Sequence, residues 1–465
     1  MAKKEKESKS FIPAVAIADN LIFTRKAVWA YYRIGMVSFD FLSTTAKVSM
    51  ANAITNAFAQ LMSDKTTTEI PMHIVSTSFP VDVNAWDAQV QKFSQDWNHS
   101  PGYEDFINSH YNQILREDFV THRTFLGIQL FKRGELATDF VNPLEQGWEE
   151  SKRQFKNWAK SALSIPGADI SQEEEEQARA KEHDYFTTLY NGNLSADRCT
   201  AEELLLLMKR QMYPAMPTPY LEIDQTNRVG AGDILAETSC VIENNYRYLK
   251  MSQLFPYDES GQDMEVDGYR AVVSFVKFPK YMSYPNGSFP FMYLPSKMGY
   301  PFTVWARFTL MPSDKMKKQL DKKKKDAKDE LKNMAGTKDN VDQAVDPDIE
   351  VSDSLADLNT MAVILSQDKT PWVKGSYFIT LQAPTKERLL EYASNLRQAF
   401  ADAEIKTLLT AGDQFTRFVE EFPGAEATDT SFDQLTSLSM ISTSGMNFGS
   451  NVGDEPWDVV RKLEN

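Results

Sequence analysis

Cysteine is nearly absent. Cys199 and Cys240 are the only two in 465 residues. Two thiols cannot build a disulfide framework or a four-cysteine zinc site, and they fit a reducing compartment. A Cys199–Cys240 bridge stays open as an alternative to two reduced thiols. Histidine is scarce as well: His73, His99, His110, His122 and His183 never fall three or four residues apart. That spacing is what sets two ligands on one helix face, so no metal site is expected. No apolar run approaches the roughly 20 residues of a membrane-spanning helix. The basic start MAKKEKESKSF lacks the apolar segment of a signal peptide, so the chain is expected in the cytoplasm, with any membrane contact peripheral. Asn286-Gly287-Ser288 then reads as a tight turn rather than a glycosylation site.

Local catalytic motifs are missing too. No G-x-x-x-x-G-K-[ST] supplies the backbone cradle and lysine that hold nucleotide phosphates. Gly230-Ala231-Gly232-Asp233 is the nearest to a dinucleotide loop, but it lacks the third glycine and reads as a turn. Neither G-x-S-x-G nor H-E-x-x-H occurs.

What is present is an ordinary globular composition, 42% hydrophobic and 25% charged, long enough for two to three domains. The formal charge of −15 argues against nonspecific nucleic-acid binding by the surface as a whole. Residues 1–10 read as a disordered tail. In 11–140, Ala14–Arg33 reads as a hairpin around Thr24-Arg25-Lys26. Thr44 or Thr45 caps a helix with Met50 or Ala51, Ile54, Ala57, Phe58 and Leu61 on one face. Strands follow at Ile70–Ser76 and Thr124–Lys132, with helices at Ala85–Trp97 and Tyr103–Arg116 between them. Residues 141–219 are chiefly helical: Glu173–Glu176 is an acidic run read as a solvated face, and Leu204–Leu207 a core segment.

A second strand-rich zone spans 220–424, with strands at Ser239–Glu243, Tyr269–Phe278, Phe302–Leu310 and Lys374–Leu381. The aromatic stretch YMSYPNGSFPFMYLPSKMGYP reads either as a loop folded onto its own domain, the commoner outcome, or as a docking surface. Between the last two strands, residues 314–366 form a helical hairpin by spacing. Leu320, Ala327 and Met334 recur every seven residues, and Val351, Leu355, Leu358, Ala362 and Leu365 return at coiled-coil steps. The outbound arm, Asp314–Lys332, holds nine lysines against five acids. Lys317, Lys318, Lys322, Lys323, Lys324 and Lys325 are the candidate interaction patch, for anionic lipid, nucleic acid or an acidic partner. The plainer reading is a solvated helix face. Past the last strand come a helix with Leu389, Leu390, Ala393, Leu396 and Phe400 inward, a strand at Glu404–Leu408 and a helix at Ala411–Glu420. Residues 425–434 read as a polar linker. The expected fold is α+β: two sheet-plus-helix modules joined by a helical segment, with an inserted coiled-coil-like hairpin.

Several pieces together resemble the motor ATPases of conjugative transfer, the VirB/TraE-like ATPases of type IV secretion in the Gram-positive conjugative-element variant. They are DNLIFTRKAVWAYYRI at Asp19–Ile34, the order strand, Lys-rich hairpin, strand, helix, then GDQFTRFVEEFPG at Gly412–Gly424, and STSGMNFGSNVGD at Ser442–Asp454. The last resembles the glycine-rich opening of the motor domain, with Gly445, Phe448, Gly449, Gly453 and Asp454 as its marks. The resemblance covers nearly all of the chain, and the order of the pieces carries more of it than any one of them. The family's phosphate-binding loop lies further on, so residues 425–465 are expected to be a linker and the start of an absent motor domain. That segment should be frayed, with Met446, Phe448 and Trp457 partly exposed. The resemblance implies a cytoplasmic region, peripheral at the inner face of the membrane, that docks the motor of a mobile genetic element onto inner-membrane components of a secretion channel and self-associates. ATP and magnesium would serve the intact protein, and DNA would be cargo of the whole machine. The competing readings are a stand-alone structural or adaptor protein, for example from a phage, and an enzyme with a dispersed active site.

Overall fold

The structure, a computed structural model, describes residues 12–38, 42–62, 69–80, 120–133, 170–192, 194–214, 228–230, 240–255, 264–279, 291–298, 300–336 and 370–449, with isolated positions between them. The expected helix at 85–97 and the stretch 141–169 lie outside the described residues, as does all of 103–116 but Asp105 and Ser109, which are helical.

The hairpin signal at the start becomes a meander: β1 (Ala14–Ala18), β2 (Leu21–Thr24) and β3 (Ala27–Ile34) pair antiparallel. Helix α1 (Thr44–Leu61) follows, buried through Ala51, Ile54, Ala57, Phe58 and Leu61 as the apolar spacing requires. Its cap is Ser43, one residue before the expected threonines, accepting from the Ala46 amide at 3.2 Å. The chain returns through β5 (Ile70–Pro80) and β6 (Val120–Lys132), and then α2 (Gln172–Asn191) leads to the short β7 (Ala196–Arg198). Before α1 lies the two-residue β4 (Val37–Ser38). Strand β7 pairs with β3, β3 with β6, and β6 with β5. Numbering the four strands along the chain, their spatial order is 4-1-3-2, the βαββαβ arrangement.

The same plan recurs further on. After helix α3 (Ala201–Met212) and β8 (Arg228–Gly230), strands β9 (Val241–Asn245), β10 (Tyr248–Phe255) and β11 (Met264–Lys277) form a second meander. Then come β12 (Phe302–Met311), helix α4 (Ser313–Gly336), β13 (Trp372–Ala383), helix α5 (Lys386–Asp402) and β14 (Lys406–Leu409). Strand β14 pairs with β11, β11 with β13, and β13 with β12, again 4-1-3-2. The crossover between strands one and two differs: α1 has no long counterpart among the described residues, and a 3₁₀ turn (Leu294–Lys297) stands there.

The strand-rich zones do not close into separate sheets. Strand two of a βαββαβ unit is an edge, and an edge exposes a row of unpaired backbone groups. Here the two such edges pair with each other: β5 and β12 run antiparallel from Thr77↔Thr303 to Ile70↔Leu310. One antiparallel sheet therefore extends from β8, beside β1, to β9, with the repeats related by an approximate two-fold at the β5–β12 seam.

One face of this sheet is covered by α1, α2 and α5. Ile54, Phe58, Leu189, Leu389, Leu396 and Phe400 pack there on Ile74, Leu126, Val304 and Ile379. Phe291 and Met292 of the aromatic stretch are buried in the same core, so these residues fold onto their own body. The rest of the chain adds helix α6 (Gln414–Glu420), β15 (Gln434–Ser437), helix α7 (Leu438–Ser442) and β16 (Phe448–Gly449). The opposite face is covered by α3 and α6, through Leu204, Leu207, Met208, Phe418 and Phe422 on Trp29, Val75, Trp305 and Phe378. Each covering helix there follows strand four of its repeat, so the two-fold relation extends to this layer.

Because the sheet is shared, the repeats should unfold together. Leu126→Ala in the first and Leu396→Ala in the second should each cost about 2–5 kcal/mol and should move the same single transition. Urea titration followed by circular dichroism and tryptophan fluorescence checks this. Two separable transitions, each moved by one substitution, would contradict the single sheet.

Candidate functional site

The lysine arm is rooted in the sheet at its first turns. Met316 and Leu320 of α4 are buried against Trp372, the first residue of β13, and Leu358 and Ala362 pack on the same cluster. Positions 355, 356, 358–360, 362 and 363 are helical. The cluster that holds Leu320 thus takes in two residues of the return arm, while Ala327 is half-buried. Of the six candidate lysines, Lys317, Lys318, Lys322, Lys323 and Lys325 are exposed and Lys324 is half-buried. Among the described residues none of the six has a carboxylate within 4.0 Å, whereas Lys315 pairs with Glu69 at 2.9 Å.

As far as Gly449 the glycine-rich stretch is not frayed. Gly445 turns the chain with φ 84°, a left-handed conformation that favours glycine. Met446 is fully buried in the core of the helix-covered face, and Phe448 packs on Tyr293 with Leu42, Met50 and Tyr284. Phe448 and Gly449 pair in parallel with Val37 and Ser38 of β4. The expected exposure of Met446 and Phe448 is therefore wrong. The apolar side chains pack beside α1 and the aromatic stretch, where the Met292 amide donates to the Ser444 carbonyl at 2.8 Å. Gly453, Asp454 and Trp457 lie outside the described residues.

Residues 412–433 carry a polar network that crosses the seam. At its start Gln414 pairs with the β11 backbone, accepting from the Val272 amide at 2.7 Å and donating to the Val272 carbonyl at 3.1 Å. At its end the chain turns at Phe422-Pro423-Gly424, Gly424 having φ 78°. Arg307 of β12 donates to the carbonyls of Glu420 at 2.5 Å and Phe422 at 2.8 Å. The Gly424 amide donates to Tyr31 Oη at 2.8 Å, and Tyr31 Oη lies 3.0 Å from His73 Nδ1. Arg307 Nη2, which can only donate, lies 3.4 Å from the same nitrogen. Nδ1 is therefore the acceptor, and Nε2 carries the proton. Burial, reinforced by Arg307, holds His73 well below the usual imidazole range, so the ring is neutral.

Beside this contact, Arg270 of β11 forms an ion pair with Glu421 at 2.5 Å, both side chains almost fully buried. Glu421 also accepts from Thr380 of β13 at 2.6 Å, and Arg270 donates to the Gln211 carbonyl at 2.8 Å. Gln211 of α3 donates to the Phe418 carbonyl of α6 at 2.7 Å, tying the two covering helices together. Its neighbour Arg210 bridges the seam, donating to the Ser78 carbonyl of β5 at 2.7 Å and to Thr303 of β12 at 2.9 Å. Burial lowers Arg210 to about 9 and Arg307 to about 10, which leaves both charged at neutral pH.

The expected linker 425–434 is part of the same network. Glu420 accepts from the Thr428 amide and hydroxyl and from the Asp429 amide, while Arg417 pairs with Glu420 and Asp429. The polar residues that resemble a linker in sequence are the partners that satisfy buried charges. Glu174 likewise departs from the solvated-face reading: it is buried and takes both ends of the Arg133 guanidinium, at 2.6 and 2.9 Å. The two cysteines are free thiols, Cys199 buried and Cys240 half-buried. Among the described residues no group of three or more His, Cys, Asp or Glu is placed to hold a metal ion.

Sequence reasoning missed Arg210, Arg270, Arg307, Arg417, Glu420 and Glu421. A signal was available for two of them: Arg270 in YRAVVSFV and Arg307 in VWARFTL are charges inside otherwise apolar strands. A charge there must find a buried partner. The arrangement has the chemistry of a clamp, with every charge turned onto another part of the chain. No protein-family model matches the chain, and no curated protein matches it.

Two outcomes are expected. Glu421→Gln leaves Arg270 buried without its counter-charge and should cost about 3–5 kcal/mol. The double variant Arg270→Met, Glu421→Leu should recover much of this, as read in the urea midpoint. The second concerns acid. Burial, with Arg210 nearby, lowers His122 to about 4, against 6.5 for the unperturbed ring. A histidine held neutral by the fold stabilises fully above pH 6.5, and that stability is lost as pH falls toward the folded value. For His122 alone the loss approaches roughly 3 kcal/mol. His122→Gln should therefore flatten stability between pH 6.5 and 4, and an unchanged slope would contradict it.

Proposed function

We propose that this chain is the amino-terminal docking and assembly region of a conjugative DNA-transfer ATPase of the VirB/TraE-like kind. In this reading it anchors the motor to inner-membrane components of a type IV secretion channel, from the cytoplasmic side and without crossing the membrane. The two βαββαβ repeats are its two modules, and the hairpin 314–366 is a projecting arm. ATP and magnesium belong to the motor, and DNA is cargo of the assembled machine.

The observation that supports this best is how residues 412–449 lie on the sheet. The segment resembling the family's Gln-containing helix and Pro-Gly turn is clamped across the seam by Arg307, Arg270 and Tyr31. Of the stretch resembling the opening of the motor domain, Met446 and Phe448 are then buried beside α1. Force on that stretch reaches both repeats, because the clamp holds β11, β12 and β3 together. That is the mechanical property a docking region needs. No helix among the described residues is long and apolar enough to cross a membrane, which agrees with a peripheral attachment.

The test uses inverted inner-membrane vesicles from cells that carry a conjugation channel and from the same strain without it. The purified chain should co-sediment with the first and not with the second, and equal retention would contradict channel docking. Incubated with magnesium and ATP, the 465-residue chain should release no phosphate above a buffer blank. Phosphoryl transfer depends on positioned donors and a held magnesium ion, and this sequence has no phosphate-binding loop to supply them. Turnover that survives further purification would overturn this part.

A further inference from the structure

We infer that the lysine arm α4 docks onto the acidic body of a second copy of this chain. The inference rests on the assembly role proposed above and names the surface that would carry it.

The first observation is charge. Asp314–Lys332 carries nine lysines and five acids, a local +4, and taking that from the chain's −15 leaves the remainder at −19. A second copy is therefore a strongly acidic partner for the arm, and it is always present at the arm's own concentration. The second is geometry. Met316 and Leu320 turn inward to Trp372, which leaves Lys317, Lys318, Lys322, Lys323 and Lys325 on the outside. Among the described residues these lysines have no carboxylate within 4.0 Å, although Asp321, Asp326 and Asp329 lie on the same helix. Exposed as they are, these side chains can reach a partner.

The third is the pattern. Acids are interleaved with the lysines along the whole arm. A uniformly anionic surface, such as a lipid headgroup layer or a nucleic-acid backbone, repels each acid as it attracts each lysine. A helix that lies on a membrane also needs an outward apolar face, and among the described side chains of α4 the buried apolar residues, Met316 and Leu320, face the root. A folded protein surface that is acidic overall but of mixed sign fits both charges of the arm. A single exposed ion pair contributes little, so the contact must be a network and must be sensitive to salt.

Sedimentation of the full chain over a concentration series tests this. In 20 mM salt the wild type should associate, and 0.5 M salt should weaken association at least tenfold. Reversing Lys317, Lys318 and Lys322 through Lys325 to Glu should give a monomer at both salt concentrations, with an unchanged circular dichroism spectrum because the side chains lie outside the core. The six-fold Lys→Gln variant keeps the helix without the charge and should fall between the two. A wild type that stays monomeric at low salt, or a reversed variant that associates as the wild type does, overturns the inference. Binding of a monomeric wild type to anionic phospholipid vesicles, lost on charge reversal, would also overturn it and assign the arm to lipid. Failure of channel docking with self-association intact would instead count against the proposed function alone.

Discussion

The pairing of β5 with β12 is the contact on which the rest of this molecule depends. Each repeat on its own would present a long edge strand to solvent, with apolar residues on both faces. Ile74 and Val304 face the helix-rich core, and Val75 and Trp305 face the other. Joining the two edges removes both liabilities at once, and it doubles the sheet without a further element. Antiparallel pairing of equivalent strands is also what a two-fold relation between the repeats requires. The layers above and below then follow: each repeat sends helices to one face, and after its fourth strand it sends one helix to the other.

The seam is reinforced where hydrophobic packing is least specific. Arg307 and His73 stand opposite each other in the β5–β12 register, and both are buried. A burial of this kind is costly unless hydrogen bonds replace the lost water. The replacements come from the end of α6 and the turn after it, at Glu420, Phe422 and Gly424. The late segment thus satisfies polar groups introduced by the strands, and the strands fix the path of the late segment. This reciprocity explains why a stretch that reads as a polar linker lies on the sheet with its hydrogen bonds made.

Much of the local structure was legible in the sequence because it follows from spacing within one element. The buried face of α1 at 51, 54, 57, 58 and 61 is a helical period, and so is that of α5 at 389, 393, 396 and 400. Strands β12 and β13 announce themselves by β-branched and aromatic runs. What was not legible lives on contacts far apart in the chain. Thr77 meets Thr303 across 226 residues, and nothing local to either names the other. Strand β10, YLKMSQLF, hides because Lys250 and Ser252 break its apolar run while Leu249 and Met251 carry its buried side. Glu174 reads as one of four consecutive acids, and only Arg133, folded back from β6, makes it different. The recurrence of one topology was hidden for a related reason, since the first crossover is a helix and the second shows, among the described residues, a 3₁₀ turn in an aromatic stretch.

The central claim is that the two repeats form one body through the seam, and hydrogen exchange followed by mass spectrometry tests it most directly. Amides in the centre of a sheet that opens only with the whole molecule exchange last, and they exchange together. The account predicts that peptides covering 70–77 and 303–310 are among the slowest in the chain and lose protection at one rate over a range of urea. If one of the two opened early while the other stayed protected, the repeats would be separate bodies and the seam a surface contact.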